Sequence, residues 1–183
     1  RQILALGRLG TGQMTVSSDL DLLFVYDASE TALSDGKRPI DASTYFARLA
    51  QTMVSWLSTA TAEGVLYPVD LRLRPEGEAG SIATSLYRLE TYFAGNEWIW
   101  EKLALAKAQP IAGDADLTKK LHLAIPAIVN QPHDHSLIGP AIGNMLVRIR
   151  KVRKGKSKWH LRARDGGLVE LDLLLQGMRL QHG

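Results

Sequence analysis

The sequence predicts an α+β protein: a small mixed sheet flanked by helices, followed by a helical portion. Three observations carry this. Runs of strand-forming residues are confined to the first 74 or so positions. One amphipathic helical stretch stands between the second and third of those runs. From Ser85 onward the apolar spacing is helical throughout. The division predicted is an α/β unit over residues 1–112 and a helical portion over 113–183.

Residues 2–7 read as a short buried strand and residues 20–26, LDLLFVY, as a second. Residues 28–41 are polar and contain Gly36 and Pro39, which marks a loop. From Thr44 to Glu63, Phe46, Leu49, Met53, Trp56, Leu57 and Ala60 recur at helical spacing, with Ser43 as cap and Gly64 as terminator. Residues 65–74, VLYPVDLRLR, alternate as a third strand, and Pro68 places it at an edge or a bulge. PEGEAGS is a turn-rich loop. Helices are then expected over Ser85–Phe93, Glu97–Ala108 (capped by Asn96), Asp114–Val129 (bent at Pro126), Ser136–Lys154 and Leu168–Gln181.

Composition narrows the class. The chain has 183 residues, 45% hydrophobic and 22% charged, which describes an ordinary globular protein. No apolar run reaches the roughly 18 residues of a membrane span, and no secretory signal pattern opens the chain. Arg1 in place of Met, leading straight into ILAL, reads as part of a longer polypeptide. The absence of cysteine excludes disulfides and thiolate metal sites and fits a cytoplasmic location. The net charge is +3, and much of the positive charge lies in Arg148, Arg150, Lys151, Arg153, Lys154, Lys156 and Lys158. No RNA-binding motif accompanies that run, so a solvated helix end is expected rather than a nucleic-acid partner.

The chemistry concentrates in GRLGTGQMTVSSDLDLLFVYD. Asp19 and Asp21, two apart at the mouth of a strand, point to one face and repel each other unless a cation lies between. Oxygen ligands suit Mg²⁺. Gly10, Ser17 and Ser18 just upstream allow backbone amides and hydroxyls to approach phosphate. On the third strand, Asp70, Arg72 and Arg74 share a face. If the two strands are neighbours, three carboxylates and two arginines line one cleft suited to a metal-bound nucleoside triphosphate. The plainer alternative is that the first two acids merely begin a strand, while Asp70 pairs with Arg72 or Arg74 at the surface.

Four blocks in order, GRLGTGQMTVSSDLDLLFVYD, VDLRLRPEGEAGSIATS, EWIWEKLALAKAQPIAGD and RDGGLVELDLLLQGMRLQHG, make the chain resemble the glutamine synthetase adenylyltransferase family over nearly its whole length. That family belongs to the DNA polymerase β-like nucleotidyltransferases. The resemblance implies a nucleotidyltransferase sheet and AMP transfer from ATP to a tyrosine of glutamine synthetase. It makes Asp19, Asp21 and Asp70 catalytic metal ligands for Mg²⁺ (or Mn²⁺), with Asp70 able to accept the tyrosine proton. Gly10, Ser17, Ser18, Arg72, Arg74 and Lys107 would form the nucleotide site. Full-length members carry two such domains, one adenylylating and one removing AMP by phosphorolysis. WIWEKLALAKA looks more like the adenylylating, C-terminal copy. Implied partners are glutamine synthetase and, through the full-length enzyme, a PII-type signal protein; a docking module without catalysis is the alternative. The chain departs from the family at Gln109, where an Arg is usual, and at His160, where an Asp is usual. The acid pair Glu170 and Asp172 has its members exchanged.

Other signals are read as structural. His133 and His135 lie in a Pro-containing loop with no further ligand. Core packing is the expected role for most of Trp56, Trp98, Trp100 and Trp159. Asp172, Gln176 and Arg179 form a polar stripe that a solvated helix face explains as well as a binding surface does.

Overall fold

A computed structural model describes residues 1–94, 99–131, 135–152, 161 and 164–182. The predicted Asn96 cap, Trp98, Trp159, His133, His160 and the basic run beyond Val152 lie outside the described residues. In chain order the elements are β1 (Gln2–Ala5), α1 (Gly7–Gly10), β2 (Leu20–Tyr26), α2 (Ala42–Leu57), β3 (Val69–Asp70), β4 (Ala83–Ser85) and α3 (Leu86–Ala94). There follow α4 (Ile99–Leu105), β5 (Gln109–Gly113), α5 (Ala115–Val129), α6 (His135–Val152) and α7 (Leu168–His182).

The strands form one mixed sheet in the order β3-β2-β1-β5, with β4 also paired to β2. The β1–β2 and β1–β5 pairs are antiparallel, whereas β3 and β4 run parallel to β2. Both parallel strands use the same edge of β2. β3 takes its first two residues and β4 its last three.

Alternation along β2 sorts the core into two faces. Leu23 and Val25 join Leu4, Leu89, Phe93, Leu121 and Val129 in a large cluster fed by α3 to α7. Leu22, Phe24 and Tyr26 join Ala42, Ala50 and Ala83 beneath α2, where Tyr26 stacks on Phe46 with ring centroids 4.4 Å apart. With both faces covered, all five residues Leu22–Tyr26 are buried, and the strand reads as a continuous apolar run.

Several predictions need correction. The third strand is two residues long rather than ten, because turns follow Asp70 at once. Arg72 and Arg74 therefore do not share a strand face with Asp70. The cap of α2 is Asp41, whose carboxylate accepts from Thr44 N, not Ser43. That helix stops at Leu57 rather than near Gly64, where Thr59 and Thr61 turn their hydroxyls onto nearby carbonyls. Trp56 is 73% exposed rather than core, since Phe46, Ala50 and Met53 make the α2 contacts and Trp56 lies in the last turn beyond them. Trp100 is exposed as well.

Candidate active site

The site is built at the start of β2. β1 ends at Ala5, and the chain turns through α1, a single helical turn bounded by glycines. Gly7 has φ +51, and a Cβ on it would lie 2.1 Å from Asp21 Oδ2. Only glycine allows α1 to press this closely on the Asp21 carboxylate. Gly10 is a second close approach, where a Cβ would lie 2.2 Å from the Lys107 carbonyl oxygen and 2.7 Å from that of Ala5. Its role is backbone packing. Lys107 itself lies just past α4, in the turn before β5.

The loop from Thr11 to Asp19 is tied by its hydroxyls. Ser18 is fully buried, and its Oγ accepts from Thr15 N at 2.8 Å and lies 3.0 Å from Thr15 Oγ1. Its hydroxyl shapes the loop from inside. Ser17 is exposed. Arg8, on α1, donates to Thr15 Oγ1 at 3.0 Å.

The acids converge because β3 pairs parallel with β2, in the register Leu20↔Val69 and Asp21↔Asp70. Asp19 stands one residue ahead of the strand and is exposed. Burial pushes the Asp21 carboxyl above its ordinary value, and the neighbouring Asp70 and Asp19 push it further. Arg8 and Arg72 pull it partly back. Arg8 is thus a charge at the site that the sequence reading passed over; its place inside the glycine-bounded turn was the available signal.

Asp70 is held the other way. Arg72 grips it with a bidentate side-chain contact (Nε to Oδ1 at 3.0 Å and to Oδ2 at 2.9 Å) and a backbone N–H at 2.8 Å. Those hydrogen bonds hold the Asp70 carboxyl below the ordinary range. Among the described residues no three His, Asp or Glu side chains are already gathered as a chelate. The donor chemistry nevertheless suits a divalent cation: oxygen ligands only, mutually repelling, one of them balanced by a guanidinium. The Arg72 side chain is 70% exposed and that of Asp70 13%, so it is the arginine that has room to leave.

Arg74 serves the loop between β3 and β4. Its guanidinium donates to the carbonyls of Leu71 at 2.8 Å, Gly80 at 3.2 Å and Glu78 at 3.2 Å. Glu76 at φ +63 and Gly77 at φ +56 turn the chain sharply there. Glu76 also pairs with Arg88. Of the two readings of the α7 stripe, a solvated face is the one its contacts disfavour. Asp172 pairs with Lys107, and Arg179 donates to the Ala106 carbonyl at 3.3 Å. Glu170 is buried and takes a bidentate contact from Arg150 at 2.8 Å.

Fold and site together define an α+β chain with an acidic cluster at one edge of a mixed sheet, pressed from beside by a glycine-bounded turn. The profile of the glutamate-ammonia ligase adenylyltransferases matches residues 2–123, and the chain belongs to that family. It is 38% identical over 181 residues to the bifunctional glutamine synthetase adenylyltransferase/adenylyl-removing enzyme of Bartonella quintana (strain Toulouse), covering 98% of this chain and 19% of that protein. The protein of the same name from Rhodopseudomonas palustris (strain BisB5) is 38% identical over 181 residues, covering 98% and 18%. That of Agrobacterium fabrum (strain C58 / ATCC 33970) is 36% identical over 179 residues, covering 97% and 18%. The chain thus spans under a fifth of the length of these curated relatives. No helix among the described residues is long and apolar enough to cross a membrane.

Proposed function

We propose that this chain transfers AMP from ATP to a tyrosine of glutamine synthetase, as the adenylylating unit of a longer polypeptide. The observation that carries the reading is the register pair Asp21↔Asp70 beside Asp19, in a chain of this family. Asp19 and Asp21 would hold Mg²⁺ (or Mn²⁺), with Asp70 completing the set once Arg72 releases it. Bound there, the cation neutralises triphosphate charge and orients the α-phosphate.

The tyrosine oxygen attacks the α-phosphorus in line, the bond to the bridging β-phosphate oxygen breaks, and pyrophosphate leaves. The protein's own contribution is positioning and charge. Lys107 and the freed Arg72 meet phosphate oxygens. Ser18 and Gly10 keep the loop and α1 in place, and Ser17 faces outward toward the nucleotide. Arg74 holds the wall of the acceptor cleft. Asp70 would accept the tyrosine proton after Arg72 has left, because the guanidinium otherwise occupies both of its oxygens. Regulation by a PII-type protein would act through the rest of the polypeptide.

The test is transfer of label from α-labelled ATP to unmodified glutamine synthetase, with Asp19→Asn/Asp21→Asn as control. Label lost in the control supports the reading. Release of ADP from AMP-modified glutamine synthetase and orthophosphate, without forward transfer, would assign the removing activity instead.

A further inference from the structure

α7 grips the turn after α4 at two points. Asp172 pairs with the Lys107 ammonium, and Arg179, two turns further along the helix, donates to the Ala106 carbonyl at 3.3 Å. On its other side the same turn is locked to α1, since the Lys107 carbonyl sits where a Cβ of Gly10 would be, at 2.2 Å. One helical turn away, about 5 Å along the axis, Gly7 bears on Asp21 Oδ2. The Lys107 backbone is thus packed on α1, the element that bears on Asp21, while its side chain is held from α7.

We propose that Asp172 is a positioning residue of the nucleotide site, holding the side chain of Lys107, whose backbone packs on α1, so that its ammonium can receive a triphosphate oxygen. This rests on the nucleotidyl-transfer reading above. The Lys107 side chain is 19% exposed and that of Asp172 52%, so the lysine lies sheltered while its partner reaches in from the rim. An ammonium has three donors, and one given to Asp172 leaves two for phosphate. A lysine is otherwise a flexible point charge that must be ordered when its ligand arrives.

The sign of the effect separates positioning from plain charge. Removing the negative charge of Asp172 would, by Coulomb attraction alone, tighten the hold on a polyanion. Losing an ordered donor would weaken it. The partly exposed pair adds little to stability, so affinity can be read apart from folding.

The experiment measures metal-dependent ATP and AMP affinity by displacement of a fluorescent ATP analogue from this chain. It compares the parent with Asp172→Asn, Asp172→Glu, Lys107→Gln and the double variant Lys107→Gln/Asp172→Asn. Expected are an ATP affinity about fivefold to tenfold weaker for Asp172→Asn and for Lys107→Gln, no further loss in the double variant, recovery in Asp172→Glu, and little change for AMP. Unchanged or tighter ATP binding by Asp172→Asn, or additive losses in the double variant, would overturn the proposal while leaving the functional reading intact. A parent chain that binds no ATP with metal overturns both. Should Asp172→Asn melt much earlier than the parent, Lys107→Gln decides, and parent-like ATP affinity there counts against the proposal.

Discussion

Asp21 bears a carboxyl that folding makes harder to ionise, through burial first and then through Asp70 and Asp19. An acid raised in the folded state makes folding less favourable as pH climbs from its ordinary value of 3.8 through the raised one. Asp21→Asn is therefore expected to melt no earlier than the parent at neutral pH, and about 1–2 °C later. The same substitution should lower AMP transfer by about 10³-fold. A variant that lost stability and activity together would mean the carboxylate is structural. Arg72 makes the complementary case. It occupies Asp70 from a mostly exposed position, so Arg72→Ala should strengthen Mn²⁺ binding about threefold by removing a competitor, read by titration of the metal's paramagnetic signal. Weaker Mn²⁺ binding would show that the arginine holds Asp70 in place rather than blocking it.

Among the elements, α1 depends on what it touches rather than on its length. Gly10 abuts two carbonyl oxygens, and neither is the end of a flexible side chain. Gly10→Ala should cost about 2–3 kcal/mol in denaturant unfolding. Gly12, at φ +68 in open space, should cost about 1 kcal/mol as alanine. Equal costs would contradict the close packing. The start of α2 gives an acid-side test. Three hydrogen bonds, the Thr44 amide first, hold the Asp41 carboxyl well below its ordinary value. Its contribution is present above pH 3.8 and is lost as pH falls through the depressed value. Asp41→Asn keeps a capping oxygen without the charge. The variant's melting temperature should match the parent's near neutrality to within a few degrees and fall less steeply below pH 4.

At these two scales the sequence was legible where one local rule dominated. β2 could be read because five apolar residues, Leu22–Tyr26, run unbroken, and Asp19 and Asp21 because the period of two places them together. Their meeting with Asp70 could be anticipated only as a condition, since the pairing of β2 with β3 is a long-range fact. The rest was hidden for physical reasons. β4 is three residues and β5 is a largely exposed strand containing Pro110, so neither shows a period. Glycine-bounded α1 has no apolar pattern. Arg72 looked like a strand neighbour of Asp70, but the chain turns after Asp70 and brings the guanidinium back onto it. The α7 stripe left a solvated face and a binding surface level because Lys107, the partner of Asp172, stands 65 residues earlier.

Across the whole molecule, one strand organises everything. β2 separates two cores, pairs with β1 on one side and shares its other edge between β3 and β4. Between those two short strands the chain leaves at Leu71 and returns at Ile82, carrying Arg74, Glu76 and the Gly77–Ala79 turn outward from beside Asp70. Entry and exit are both anchored along the same edge of β2, and Arg74 braces the excursion from within through three carbonyls. Such a segment behaves as an interchangeable cassette. Leu71 and Ile82 pack against the core beneath α2 and Leu73 against the larger one, so the freedom to change lies at the tip, Gly77–Ala79, while the acid at its root stays in register. Diversity in what the site accepts can therefore accumulate at that tip, beside a strand, β2, that burial on both faces constrains.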